Sequence, residues 1–399
     1  MAEGRLFMKK QIVLYFLIML IQLSCTEKPA VQVFVSGTDG HKSYRIPAII
    51  GLQDGTLLAF AEGRVKGSAD FGDINIVLRR STDNGKTWDR MSIVVDYDSL
   101  QAGNPAPVVD LTDPDYPDGR IFLFFNTGNN HEGEIRKGNG YREVWYITSV
   151  DKGASWSDPV NITTSVHRLK KPEVDKTYNF PEDWRSYANT PGHAFQFPEG
   201  RYKGRIVIAA NHSAGEPLND WGDYASHTFY SDDHGKSFKL GQTLPIPGSN
   251  EATAAEISGD RLILNARNQK GDIRARIVGI SDDGGETWKN FFYDNMLPDP
   301  VCQGSIINFA KYNGRSVLAF SNPADTINRD NLTLRFSYND GESWTQKKII
   351  DKSPDISKSR NYTAYSDLVA LSSGRIGILY ERDNYSEIVF KVVKPKTKY

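Results

Sequence analysis

Short runs of alternating apolar and polar residues, interrupted by Gly, Asp and Asn, fill the chain beyond its N-terminal segment, and long helical periodicity is nearly absent. This pattern predicts antiparallel β-strands throughout. A glycine turn leading into an apolar strand recurs at Gly55, Gly119, Gly204, Gly259, Gly314 and Gly374, spaced by 64, 85, 55, 55 and 60 residues. Apolar runs such as Ile46 to Ile50, Ala106 to Val109 and Ile306 to Phe309 precede these turns, so each copy reads as a hairpin. A second motif, Ser-x-(Asp/Asn)-x-Gly-x-(Ser/Thr)-aromatic, lies between hairpins at Ser81–Trp88, Ser149–Trp156, Ser231–Phe238, Ser281–Trp288 and Ser337–Trp344. Its Ser and Asp can bond the turn backbone, its Gly permits a positive φ, and its aromatic can pack under the sheet. Two hairpins make four strands. The expected fold is therefore all-β, a six-bladed β-propeller of four-stranded antiparallel blades spanning residues 26–399. The sixth unit lacks the second motif, and the early run Val31 to Ser36 is available to pair with Glu387 to Val393 and close the ring. A closed ring leaves no long open edge, which suits an exported monomer.

In such hairpins the start of strand one and the end of strand two share one end of the blade. The starts are Arg45, Asn104, His193, Glu251, Gln303 and Tyr365; the ends are Arg64, Asn126, Asn211, Arg267, Asn322 and Glu381, with Arg329 and Asp70 in following loops. A merely structural mouth needs no such concentration of arginine and carboxylate. The glycine-bearing motifs fall at the opposite end.

Charge and composition remove alternatives. The net charge is −1, and no basic stripe exists beyond the tail Lys391, Lys394, Lys396 and Lys398, which argues against a nucleic-acid partner. Lys9 and Lys10 followed by the apolar run Ile12 to Ile21 and by Ser24-Cys25-Thr26 read as an export signal over residues 1–25, with Met8 an alternative start. The run is short for a membrane span, which needs roughly 20 apolar residues. Cys25 stands where a bacterial lipoprotein carries its lipid, although Gln22 and Leu23 fit that signal poorly; a lipid anchor and free secretion both stay open, in the periplasm, at the cell surface or outside. Without Cys25 only Cys302 remains, so no disulfide framework is possible. No zinc-type spacing occurs, and no metal or other cofactor is expected.

Tyr44-Arg45-Ile46-Pro47, Phe60-Ala-Glu-Gly-Arg64, Leu264-Asn-Ala-Arg267, Cys302-Gln-Gly-Ser305, Tyr365-Ser-Asp-Leu368 and Leu379-Tyr-Glu381 occur in an order that is similar to the bacterial and animal exo-α-sialidase family of glycoside hydrolases. The Ser-x-Asp motifs resemble that family's Asp boxes, which also occur in propellers without this activity. The resemblance covers nearly all the chain after the leader. It implies that Arg45, Arg267 and Arg329 grip the carboxylate of a terminal sialic acid, for which fork-like guanidinium bonds are suited. It further implies that Tyr365 attacks the sugar while Glu251 takes its proton, and that Asp70 serves as acid and then base. Sialidases with a Tyr nucleophile are a known exception to the two-carboxylate rule of glycosidases, so this assignment follows the resemblance. Glu381 is expected to hold Arg45, and Arg64, Asn104 and Gln303 to contact hydroxyl or acetamido groups of the sugar. His193 is either a rim contact or bonded to the backbone. Arg335 rivals Arg329, Glu256 rivals Glu251, and Asp73 rivals Asp70.

The implied activity is retaining hydrolysis of α-linked sialic acid from glycoproteins, glycolipids or oligosaccharides. Transfer to another glycan, internal transfer to an anhydro product, a deaminated sialic acid as substrate, and a non-catalytic sialic-acid-binding propeller are the other readings. The last would keep the arginines and lose Tyr, Glu or Asp, all of which are present.

Overall fold

The computed structural model describes residues 29–395. The chain divides after Ala30, and the elements all belong to the unit Val31–Tyr399. The expected export signal and Cys25 lie outside the described residues. Among the described residues no helix is long and apolar enough to cross a membrane.

The fold is an all-β propeller of antiparallel sheets. One sheet of eight strands holds two successive antiparallel meanders, residues 43–95 and 101–161, whose strands pair with each other only at a parallel bridge between Ile74 and Gln101. The third meander, residues 184–240, carries the extra strand Phe195–Gln196. Residues 249–298 and 305–351 form four-stranded sheets. The last sheet orders Val31–Val35, Glu387–Val393, Arg375–Arg382 and Thr363–Leu371, so the N-terminal strand completes the C-terminal meander as the pattern predicts. Among the described residues five sheets thus stand where six separate ones were expected, because that one bridge fuses the first two meanders.

Each main apolar cluster joins two consecutive meanders. Phe60 and Leu78 pack with Leu123 and Phe125, Phe122 and Phe124 with Ile208 and Phe229, and Ile263 with Leu318 and Phe320. Phe34, Ile388 and Phe390 close the circuit onto Tyr44 and Val77. Leu57–Arg64 is buried along its whole length, and Leu57 to Ala61 are accordingly apolar on both faces, while the buried Glu62 and Arg64 pair with each other.

The five Asp-box turns share one hydrogen-bond pattern. In the third, Ser231 Oγ donates to Asp233 Oδ1 and accepts from Gly235 N, while Ser237 N and Ser237 Oγ donate to the Asp233 carboxylate. Gly235 needs its freedom for two reasons: its φ is +77°, and a Cβ there would lie 2.5 Å from the Phe122 ring of the preceding meander.

Candidate active site

At the opposite end the inner strands begin irregularly. Pairing slips between Arg45 and Ala48, between Gly103 and Ala106, between Ser249 and Ala252, and between Thr363 and Ser366. These bulges contain or flank Arg45, Asn104, Glu251 and Tyr365, and a bulge re-aims the side chains it carries. Ile46 and Asn104 have φ of +58° and +55°. For a β-branched residue such as Ile46 this is an outlier, held here by its surroundings.

A carboxylate from a neighbouring strand does the holding. Glu381, fully buried, accepts from Arg45 Nε at 2.7 Å, Ile46 N at 2.9 Å and Tyr365 N at 3.1 Å. Glu62 does the same between the first and second meanders. It accepts from Arg64 Nη2 at 2.7 Å and Nε at 3.1 Å, and from Asn104 N at 2.9 Å. Asn126 Oδ1 receives Asn189 N at 2.7 Å in the next junction. The role of Glu62 was not recognised from sequence; the available signal was a lone carboxylate inside the apolar strand Leu57–Arg64.

Arg45, Arg64, Asp70, Asn104, Glu251, Arg267, Arg329 and Tyr365 line one polar cleft of about 160 Å³, together with Glu132, Arg142 and Asn211. Tyr365 OH donates to Glu251 Oε1 at 2.6 Å and Oε2 at 2.7 Å, and Arg267 Nη1 donates to Tyr365 OH at 3.0 Å and Glu251 Oε2 at 2.8 Å. Burial and then the Glu251 charge push the Tyr365 phenol well above its ordinary value, against the pull of Arg267 and Arg329. Burial disfavours the Arg45 cation, but Glu381, Tyr385 and Tyr365 outweigh it and keep that arginine charged. Arg329 donates to Val301 O at 3.0 Å and Tyr385 OH at 3.4 Å, and no carboxylate of the described residues ion-pairs with it. Arg142 Nε, Arg267 Nε and Asn211 Nδ2 are buried donors without an acceptor among the described residues. A cleft of unspent donors and cations is built for an anion carrying several acceptors.

Asp70 is the exposed member, with two-thirds of its side chain open to solvent. Its Oδ1 accepts from Arg64 Nη1 at 2.7 Å and lies 3.9 Å from Arg45 Nη1. Partial desolvation works to raise its carboxyl; Arg64 and Arg45 prevail and hold it below the usual range.

Two expected positions fall elsewhere. Gln303 is fully buried, donates to Pro191 O and Ser366 O, and does not line the cleft, because the chain reaches Ser305 before the inner strand begins. His193 does not start a strand; Trp184–Asn189 does, and His193 Nδ1 instead lies 2.7 Å from Asp367. Asp367 also accepts from Ile49 N, His193 N and Ser305 Oγ, tying inner strands around the axis. Among the rivals, Arg335 donates to Asn322 Oδ1, with burial depressing its pKa to about 10, and Glu256 lines a larger, mainly apolar cavity at the other end of the inner strands. Asp73 does not line the cleft.

Glu132 was not singled out from sequence. It begins the short helix Glu132–Arg136 in a loop with no repeat to mark it, and it accepts from Tyr224 OH at 2.6 Å and Ser186 Oγ at 3.0 Å.

Residues 55–378 match the BNR repeat-like domain. The chain is 30% identical to a sialidase of Paraclostridium sordellii over 86% of this chain and 82% of that protein. It belongs to the sialidase family. A sialidase of Micromonospora viridifaciens is 31% identical over 87% of this chain, which spans about half (51%) of that relative's length. Among solved structures, the Hadza microbial sialidase Hz136 aligns with a TM-score of 0.76 and 26% identity, covering 92% of this chain and 69% of that one. An intramolecular trans-sialidase from Ruminococcus gnavus shares the fold at a TM-score of 0.69 and 18% identity, covering 92% of this chain and 99% of that one. The matched region contains the cleft residues from Arg64 to Tyr365, while Arg45 and Glu381 lie just outside it.

Proposed function

We propose that this family member is a retaining exo-α-sialidase that releases terminal α-linked sialic acid from glycoproteins, glycolipids or oligosaccharides. The observation that carries the reading is the Tyr365–Glu251–Arg267 hydrogen-bond triangle beside the uncompensated Arg329. Arg45, Arg267 and Arg329 receive the substrate carboxylate. Tyr365 gives its proton to Glu251 as its oxygen bonds to the anomeric carbon, and the glycosidic bond breaks with Asp70 protonating the leaving oxygen. The same Asp70 then takes a proton from water as the water oxygen bonds to the anomeric carbon; the bond to Tyr365 breaks, and Glu251 returns its proton to the phenolate oxygen. A phenol held well above its ordinary pKa needs a base in contact, and Glu251 is at 2.6 Å. A neutral nucleophile also avoids repulsion from the adjacent substrate carboxylate. As that carboxylate occupies Arg45 it offsets the cation's pull on Asp70, which moves Asp70 toward the protonated form the first step requires. Glu132, Arg142, Asn104 and Asn211 face the remaining hydroxyl and acetamido groups.

The same reading counts six blades, taking the eight-stranded sheet as two, and treats the protein as an exported monomer, with lipidation at Cys25 an alternative to free secretion. A fluorogenic α-sialoside incubated with the protein, with and without EDTA, tests the activity. Turnover unaffected by the chelator is expected, and either no turnover or turnover abolished by EDTA would overturn the proposal. Following the first-formed anomer by proton NMR tests retention: the α anomer must appear before the β. An anhydro sugar as the first product would instead establish internal transfer.

A further inference from the structure

Tyr385 lies on the connection between strands Arg375–Arg382 and Glu387–Val393, outside every repeat and motif. Asp383, Asn384 and Tyr385 have φ of +50°, +53° and +70° in succession. Asp and Asn tolerate this region; a bulky aromatic residue enters it only when its surroundings impose it. Here the imposition is visible. Ser36 Oγ donates to Tyr385 O at 2.7 Å, Ser36 N donates to Ser386 O at 2.9 Å, and Asp383 N donates to Tyr362 O at 2.9 Å. This backbone places the Tyr385 ring 3.9 Å from Arg45 Cζ, with Tyr365 also near that guanidinium at 5.3 Å. Glu381 engages Arg45 through Nε. Tyr385 OH accepts from Arg329 Nη1 at 3.4 Å, while Val301 O takes Arg329 Nη2.

We infer that Tyr385 is a positioning residue for substrate recognition, its ring setting the plane of Arg45 and its hydroxyl the direction of Arg329, so that both guanidiniums converge on one carboxylate. The inference rests on the reading of the cleft as a sialic-acid site. A planar cation stacked on an aromatic face keeps its in-plane N–H groups free for a carboxylate, which a second carboxylate partner would instead consume. Ser36 directly follows the strand Val31–Val35 that completes the last sheet, so the closure of the ring also holds the loop that holds the arginines.

The experiment uses the full chain and four proteins: wild type, Tyr385→Phe, Tyr385→Ala and Ser36→Ala. Steady-state kinetics on an α-sialoside are paired with calorimetric binding of an unsaturated sialic acid analogue and of its methyl ester, which lacks the charge. Tyr385→Ala is expected to raise KM about tenfold with kcat within about threefold, and to lower the preference for acid over ester about tenfold. Tyr385→Phe and Ser36→Ala are expected to show the same pattern at about threefold. A general loss of structure would weaken acid and ester alike, and that result overturns the inference, as does an unchanged preference in Tyr385→Ala. Should Tyr385→Ala fail to fold, an unchanged preference in both Tyr385→Phe and Ser36→Ala overturns it equally. A wild type that neither turns over the sialoside nor prefers acid to ester defeats the underlying reading of the cleft instead.

Discussion

The two ends of the propeller are built by opposite rules. At the Asp-box end one hydrogen-bond pattern recurs at five turns, and its bonds run between residues two to four apart, as from Ser81 to Asp83 and from Thr87 to Asp83. At the cleft end the junctions use different side chains even where a buried glutamate recurs, as at Glu381 and Glu62, and the bonds that matter join residues distant in sequence: Arg45 to Glu381, Tyr365 to Glu251, Asn104 to Glu62. Repetition suits a structural role because each turn faces the same task of stapling a hairpin against the meander before it. A cleft that sets cations, carboxylates and a phenol side by side needs a different side chain from each meander. The same backbone end that could have repeated one residue therefore carries arginine, asparagine, glutamate and tyrosine.

That contrast makes ordered predictions. Tyr365→Phe should lower kcat on an α-sialoside by about 10³-fold or more, equivalent to roughly 4 kcal/mol of barrier, while circular dichroism and melting stay near wild type. Undiminished turnover would remove Tyr365 from the chemistry. Glu251→Gln keeps an acceptor for the phenol and removes the base, so kcat should fall by roughly 10² to 10³; an unchanged pH–rate profile and rate would reassign the base. At the other end, Gly235→Ala should cost about 3 kcal/mol of stability through its positive φ and the clash with Phe122, with kcat unaltered below the new melting temperature. A fall in kcat there would show that the two ends are coupled. Asp83→Ala removes the acceptor of one Asp box and should cost about 1 kcal/mol by denaturant titration, again without kinetic effect.

Acid should act on both regions by the same sign through different groups. The turn bonds hold Asp83 and Asp151 down at about 2. Their stabilisation is complete above the unfolded value of about 4 and is lost as pH falls toward about 2. Under the cleft, His167, His212 and His227 are buried together around Tyr187 and Trp184, with His212 Nδ1 3.0 Å from His227 Nδ1. Burial depresses all three, His227 to about 3. Because the fold holds them neutral, stability is full above the unfolded histidine value of about 6.5 and declines as pH falls through about 3. Melting temperature against pH should therefore decline first below about 6.5, and Asp83→Ala should flatten only the lower part of that curve.

Much of this molecule was legible in its sequence. Strand periodicity, the recurring glycine turns and the Asp boxes are local signals, and local physics decides them: a Ser, an Asp and a Gly at fixed offsets satisfy a turn wherever it sits. The hairpin rule by itself brings Arg45, Glu251, Arg267 and Tyr365 to one end. It misplaced His193 because residues 162–183 displace the start of the third meander, and a long insertion obeys no repeat. It misjudged Gln303 because a residue just before a strand can turn either into the cleft or into the axis, and period-two alternation does not extend past the strand to say which. Glu62 and Tyr385 carry no local signal of their roles for a related reason. Their roles consist entirely of partners contributed by other blades.

The sequence by itself therefore determined the strands, the turns, the ring-closing N-terminal strand and the end at which the chemistry gathers, all of which depend on neighbours a few residues away or on hydrophobic period. Only the tertiary structure decided which carboxylate holds which arginine, that one bridge fuses the first two sheets, and that a strained Tyr385 lies under the arginine cluster. Those outcomes depend on bulges that re-aim single side chains and on bonds between residues hundreds of positions apart, where the free energy of one contact is set by what the rest of the ring has already placed beside it.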